Sequence, residues 1–394
     1  MESLKVWVDS RIVGDLEGPD LFVFGYRRGI GASLAVSLTM PVRLQSWTDR
    51  VLHPIFQMNL PEGAMLIAIR QAISKLARTD DLSLLRILGG YQIGRNRFTP
   101  PEAELPSPSS PESLEDILKY PDTEELFRDL MKRYLLRSGI SGVQPKVLLD
   151  AHDRATLRSS AYVVKAWGAD HPQLAANEYF CMTAAARSGL PTPEFHLSDD
   201  GRLFIMKRFD VDPGGKDLGF EDMCVLQGIG TDRKYDGACE RIARSIERYV
   251  SAGCRAAAKE AFFKSLVLSV AVRNGDAHLK NYGVVYGDPM GDDIRLAPIY
   301  DVVTTVAYIP RDIPALSLGG SKKWWSAGAL HKFGISHCGL SQGRIREIFA
   351  AVTGAVADGR ADIRRYMDDN PAFREIGAGM LAAWEKGLAG LEGR

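Results

Sequence analysis

Arg273-Asn-Gly-Asp276-Ala-His278-Leu-Lys280-Asn281-Tyr-Gly283 is a polar loop between two apolar segments. The segment before it, FFKSLVLSVAV (262–272), is long enough and apolar enough to be a buried helix, and YGVVY (282–286) after it reads as a strand. The turn formers GDPMGDD (287–293) and a second apolar run, IRLAPIY (294–300), complete a hairpin. A hairpin returns its end to its beginning, so Asn281 and Asp301 are expected side by side. Asp288, Asp292 and Asp293 fall in the turn and read as solvated.

The residue types in this loop suit phosphoryl transfer. That reaction needs a carboxylate to orient a hydroxyl nucleophile and oxygen ligands to hold Mg²⁺ on the phosphates, and protein kinases use an Asp with an Asn five positions later. Asp276 and Asn281 have that spacing. Asn, Gly and Asp are also common turn formers, so NGDAH alone reads equally well as a plain polar turn. Asp301, arriving by the hairpin, tips the balance: Asn281 and Asp301 become two oxygen ligands for Mg²⁺, with water and phosphates completing the octahedron. His278 has no second histidine nearby, which points to orienting the loop rather than to a metal, and Lys280 joins Asp276 and His278 as a catalytic-loop residue.

A site of this kind also needs a cation on the phosphates, commonly a strand lysine fixed by a helix glutamate. The strand AYVVK ends at Lys165, and Glu178 follows in LAANEYFCMTAAARSG, a helix opened near Pro172 and stopped at Gly189. Taken singly, each reads as a surface charge; their order before the Asp276 loop pairs them. Upstream, Ser138-Gly-Ile-Ser141-Gly142-Val-Gln144-Pro-Lys146 is a glycine-containing phosphate cradle, with Ser141, Gly142, Gln144 and Lys146 as the groups to contact nucleotide. It matches neither GxxxxGK[ST] nor a GxSxG elbow. LFIMKRFD (203–210) is a strand turning polar, placing Lys207 and Phe209 at the adenine end, although Phe209 reads equally as core. Gly29-Ile-Gly31 lacks the third glycine of a dinucleotide fingerprint.

The rest of the chain frames this centre. With 394 residues it exceeds a single core. Its 49 basic and 49 acidic side chains give no net charge, which argues against unaided nucleic-acid binding. Five widely spaced cysteines read as reduced, buried thiols, and the start, MESLKVWVDSRIV, is neither signal peptide nor membrane span. LKVWV and LFVFGY are short strands separated by turn formers Asp9, Ser10, Gly14, Gly18 and Pro19; 61–89 is helical, with Leu66, Ile67, Ile69, Ile73 and Leu76 near helical spacing. The proline-rich stretch 99–112 reads as a linker. The pattern is α+β, divided as an N-terminal β-rich part (1–98), the linker, a part with the phosphate loop and ATP lysine (113–215) and a mainly helical part (216–394).

Taken in order, PVRLQ, LPEGAML, SGVQPK, YVVK, NEYFCM, RFD, EDMC, KYDG, NGDAHLKNYGV, LAPIYDV and LSLGG resemble the HipA family of bacterial toxin kinases from type II toxin–antitoxin systems. The resemblance implies a protein-kinase-like, two-lobed fold with an N-terminal β-rich subdomain, a bacterial cytoplasmic setting, and a HipB-like helix-turn-helix antitoxin through which DNA is met indirectly. It implies that Lys165 contacts ATP phosphates, Phe209 the adenine and Asp276 the hydroxyl nucleophile, with Asn281 and Asp301 on Mg²⁺. Known members phosphorylate aminoacyl-tRNA synthetases and arrest growth, so a protein target of that class is expected. The phosphate loop departs from the family: Gly139 stands where the autophosphorylated serine usually lies, leaving Ser141 and Ser138 as candidates, with Ser141, which resembles the second serine of the HipT branch, favoured. Lys207 replaces an acidic hinge residue. Two other readings compete: a nucleotide-binding pseudokinase partnered with a DNA-bound antitoxin, and a small-molecule kinase of the choline-kinase type.

Overall fold

The computed structural model describes residues 2–73, 80–107, 110–141, 144–153 and 158–392. The N-terminal sheet has the order β4-β3-β2-β1-β5, all antiparallel, built from β1 (Glu2–Val8), β2 (Arg11–Gly18), β3 (Phe22–Tyr26), β4 (Trp47–Asp49) and β5 (Asn96–Thr99). Asp9 and Ser10 both adopt positive φ, 48° and 62°, as a two-residue hairpin turn demands. The stretch 11–18, read from its glycines as turn-rich, is instead the central strand. Gly14 serves close approach rather than turning: a Cβ there would lie 2.4 Å from the Gly25 carbonyl oxygen.

The helices Gly63–Ile73 and Asp81–Leu88 cover this sheet, with Met65, Ile69, Leu82 and Leu85 packed against Leu4, Val6, Phe24 and Phe98. Ile67 departs from the expected stripe and is exposed, because Met65 and Ile69 occupy the buried face. Leu76 lies outside the described residues. Asp80 caps the second helix through Ser83 N at 3.0 Å.

A second sheet, β6-β7-β8-β10-β9, is built from β6 (Glu112–Ser113), β7 (Lys146–Asp153), β8 (Arg158–Ala166), β9 (Phe195–Leu197) and β10 (Leu203–Lys207). Alternation splits its strands cleanly. Val147, Leu149, Val164 and Ile205 face the helix Thr123–Tyr134, and Leu148, Val163, Phe204 and Met206 face the helix Leu174–Arg187.

The remaining lobe is mainly helical and holds a three-stranded sheet, β11 (Gly219–Asp222), β12 (Gly283–Tyr286) and β13 (Arg295–Leu296). Its central helix, Arg255–Val272, is buried at every position from Phe262 to Val272, as a helix apolar on all sides must be. The hairpin exists, but its second strand is shorter than the IRLAPIY run suggested. Pro298 has no N–H to continue the ladder, and Ile299 N turns to Pro191 O instead, at 2.8 Å. All five cysteines are free thiols. No helix among the described residues is long and apolar enough to cross a membrane.

Helix Arg374–Glu392 crosses the central helix at Gly387, where a Cβ would stand 2.0 Å from the Ala271 carbonyl oxygen. Gly387→Ala is therefore expected to lower stability by about 1–3 kcal/mol, the overpacking outweighing the gain in helix propensity. Gly354→Ala, on the exposed side of helix Gln342–Asp369 with nothing within 4 Å, is expected to gain up to about 1 kcal/mol. Opposite shifts in the thermal midpoint of the two variants are the check.

Candidate active site

The central helix delivers the polar loop into the cleft between the second sheet and the helical lobe. Arg273 ends that helix in a left-handed conformation, φ 56°, and the chain then enters Asn274–His278. Asn274 Oδ1 accepts from Asp276 N at 3.1 Å, fixing the turn, and Tyr235 donates its hydroxyl to Asp276 Oδ1 at 3.0 Å. Burial raises the Asp276 carboxyl to about 6, helped by the nearby Asp301 charge and opposed by the Tyr235 hydrogen bond. His278 is buried beside Tyr235, ring edge to face, and burial lowers it to about 3, so it is neutral at physiological pH.

Asn281 and Asp301 meet as the hairpin requires. Asn281 Nδ2 lies 3.2 Å from the Asp301 carbonyl and 3.4 Å from its Oδ2, and Asn281 Oδ1 is buried with no hydrogen-bond partner. Lys165 Nζ lies 2.6 Å from Glu178 Oε1 and 2.8 Å from Asp301 Oδ1, joining β8, the helix Leu174–Arg187 and the loop after β13. Burial alone would lower this ammonium; the two carboxylates outweigh burial and hold it well above the usual lysine value. Burial pushes Glu178 above the usual carboxylate range, whereas for Asp301 the cations Lys165 and Lys146 prevail over burial and keep it far below.

Several of these groups line one cavity of about 710 Å³, with Asn281 and Glu178 set behind its wall. Lys146, Lys165, Asp276, His278, Lys280 and Asp301 face it, with Ser141 and Gln144 at the phosphate loop and Phe209, stacked on Tyr300, at the far end. Gln144 Nε2 donates to Ala166 O, and Lys146 Nζ to Ser141 O, so the loop is tied to β8. Burial and the neighbouring Lys165 bring the Lys146 ammonium down to about 8. Gly142 lies outside the described residues. Lys207 is absent from the cavity lining: its side chain reaches Glu194 on the outer surface, because alternation along β10 turns Met206 inward and Lys207 outward. Ser138 is likewise withdrawn, fully buried, with its hydroxyl donating to Tyr134 O and accepting from Leu148 N.

Two residues to which the sequence pointed no role belong here, Lys234 and Tyr235 of KYDG; Tyr235 reaches Asp276 from 41 positions upstream. A third, Glu62, comes from the N-terminal subdomain and pairs with Lys234 at 2.6 Å. An acidic residue before a helix reads as a routine first-turn charge, so no local signal marks it.

The oxygen donors fit a magnesium ion. Asn281 Oδ1 lacks a partner and Asp301 stays anionic, two ligands of the kind Mg²⁺ accepts when phosphates and water complete its shell. Among the described residues no cluster of three His, Cys, Asp or Glu side chains is placed to hold a metal without such help.

The chain is similar to known proteins over most of its length. The family model for the HipA-like C-terminal domain matches residues 138–359, more than half of the chain, and that for the HipA N-terminal domain matches residues 4–99. Two Sinorhizobium fredii proteins named as inferred kinases are similar: Y4mE, 28% identical over 331 residues, covering 77% of this chain and 78% of its own, and Y4dM, 27% identical over 314 residues, covering 73% and 70%. Among solved structures, HipA in the Shewanella oneidensis toxin–antitoxin complex with HipB and operator DNA superposes with a TM-score of 0.72 at 19% identity, covering 99% of this chain and 98% of that one. That likeness is one of fold, α+β and two-lobed with an added N-terminal subdomain.

Replacing Lys165 by Met strands Glu178 and Asp301, and a loss of roughly 3–5 kcal/mol in unfolding free energy is expected at pH 8. Glu178 then has a folded-state pKa above its unfolded value, so between the two the native state binds more protons. Stability of Lys165→Met must therefore rise as pH falls from 8 towards 6. Chaotrope melts at several pH values, set against the unsubstituted chain, measure both effects.

Proposed function

The chain belongs to the HipA family, and from that premise and the cavity's chemistry we propose that it is an ATP-dependent protein serine/threonine kinase, acting as a toxin that a HipB-like antitoxin neutralises. One observation carries the reading: Lys165, Asp276 and Asp301 converge on a single cavity, with Asn281 hydrogen-bonded to Asp301 behind it, an arrangement that suits phosphoryl transfer. Lys165, held charged by Glu178, and Lys146 meet the ATP phosphates. Asn281 Oδ1 and Asp301 would hold Mg²⁺, which would supply positive charge against the phosphates. Phe209 and Tyr300 border the adenine.

Asp276 orients the acceptor hydroxyl and takes its proton. The acceptor oxygen forms a bond to the γ-phosphorus as the bond to the β–γ bridging oxygen breaks, and ADP leaves. Burial of Asp276 gives a base stronger than a solvated carboxylate, while the Tyr235 hydroxyl keeps its oxygen aimed. Ser141, half-buried on the cavity, is accessible to autophosphorylation; the locked Ser138 is not. An aminoacyl-tRNA synthetase is the target class that HipA membership suggests.

Incubating the chain with labelled ATP, Mg²⁺ and bacterial lysate is expected to label a protein. Asp276→Asn is expected to cut transfer by roughly 10²–10⁴-fold, and chelating Mg²⁺ to abolish it. Label confined to small metabolites would overturn the protein-kinase reading. The profile of kcat/KM carries its own check. Asp276 works deprotonated, so activity falls as pH drops through about 6. Tyr235→Phe removes a hydrogen bond to the charged form and must move that limb to higher pH.

A further inference from the structure

Glu62 opens the helix Gly63–Ile73 and thus belongs to the N-terminal subdomain, yet its carboxylate meets groups from both other parts of the molecule. Lys234 Nζ is 2.6 Å from its Oε2, Lys280 Nζ is 3.6 Å from its Oε1, and the Ser141 hydroxyl donates to the same Oε1. The two ammonium groups are not equally dependent on it. Lys280 also donates to Met58 O at 2.8 Å and stands 3.6 Å from Asp222, so it stays anchored if Glu62 is lost. Lys234, whose side chain is only 8% exposed, has Glu62 as its one carboxylate partner among the described residues.

Lys234 is held where a cation is useful. Its carbonyl accepts from Leu279 N of the catalytic loop at 3.1 Å, and its ammonium lies 5.4 Å from the ring centre of Tyr235, the residue that bonds Asp276. It lines the same cavity as Asp276, Lys146 and Lys165. During transfer, negative charge spreads over the equatorial oxygens of the phosphoryl group, and a fixed ammonium beside the base stabilises it without reorganisation. A lysine chain is flexible, so a cation at that place needs an anchor.

We infer that Glu62 is a positioning residue of the transfer site, acting through Lys234, which it holds beside Asp276 to meet the transferred phosphoryl group. The inference rests on the phosphotransfer reading above. It makes the N-terminal subdomain part of the catalytic apparatus rather than an appendage to it.

Steady-state kinetics on the full chain test it with Lys234→Met, Glu62→Gln, Glu62→Asp and the Glu62→Gln/Lys234→Met pair. Lys234→Met is expected to lower kcat by roughly 10²-fold, with the KM for ATP within about threefold, since the contact strengthens only in the transition state. Glu62→Gln should reproduce most of that loss, Glu62→Asp should recover part of it, and the pair should fall no further than Lys234→Met alone. Unchanged kcat in Lys234→Met or Glu62→Gln, or losses that multiply in the pair, would overturn the inference. Should Glu62→Gln not fold, Glu62→Asp and the Glu62→Asp/Lys234→Met pair decide in its place: an unchanged kcat in Glu62→Asp, or losses that multiply in the pair, overturns the inference. If the unsubstituted chain transfers no phosphate, the kinase reading falls separately. A crystal structure of Glu62→Gln then judges the positioning: a displaced Lys234 ammonium supports it, an unmoved one refutes it.

Discussion

A lysine ammonium sealed between two carboxylates organises this molecule. Lys165, with its side chain 4% exposed, bonds Glu178 on one side and Asp301 on the other, and these three residues come from a strand, a helix and an irregular loop far apart in the chain. Lys165 and Glu178 are not tolerable as lone charges at that depth, since a buried ion without a partner costs several kcal/mol, whereas Asp301 keeps part of its side chain exposed. The elements must therefore assemble together. The arrangement is also unfinished: Lys146 adds a second cation on the same cavity, and Asn281 Oδ1 remains without a partner. The polyphosphate and Mg²⁺ of the proposed function would satisfy both.

What could be read from the sequence is what local chemistry encodes. The Asp276–Asn281 spacing, the apolar helix segment that delivers it and the turn that brings Asp301 back all lie within 262–301, and each step has its own signal. Lys165 and Glu178 were legible because the strand and the capped helix that carry them were. The errors have physical causes as well. Gly14 looked like a turn residue because a glycine required for close approach to Gly25 is indistinguishable in sequence from one required for positive φ. The neighbours of Lys207 in LFIMKRFD suggest a cavity residue, though strand alternation sends it outward. Glu62 escaped notice because its partners lie 79 to 218 positions away, and nothing about an isolated glutamate announces distant lysines.

The N-terminal subdomain does more than pack beside the kinase-like lobes. Asp210, just past β10 where the two lobes join, accepts from Gly94 N at 2.6 Å and pairs with Arg208, while Arg97 reaches over to Asp217. Glu221 on β11 accepts from the Ser37 hydroxyl at 2.6 Å and from Leu38 N at 2.8 Å. The bonds from Gly94 to Asp210 and from Ser37 to Glu221 are buried, the kind that low local dielectric strengthens. The segment connecting the lobes is thus braced from outside by a third body. Lobe spacing follows from contacts that involve neither nucleotide nor acceptor.

Against that rigid frame, the strain at the centre becomes intelligible. Asp301 sits in the left-handed region at φ 60°, a conformation that costs a non-glycine residue of order 1–3 kcal/mol unless its surroundings impose it. Asp bears this better than most, and here Asn281 bonds its carbonyl while Lys165 bonds its carboxylate. Relaxing the backbone would swing the carboxylate away from Lys165 and leave that ammonium with Glu178 alone. The cost of the strained dihedral is thereby smaller than the cost of releasing it. The same bond that stabilises the core also holds the Asp301 carboxylate at the cavity, next to Asn281.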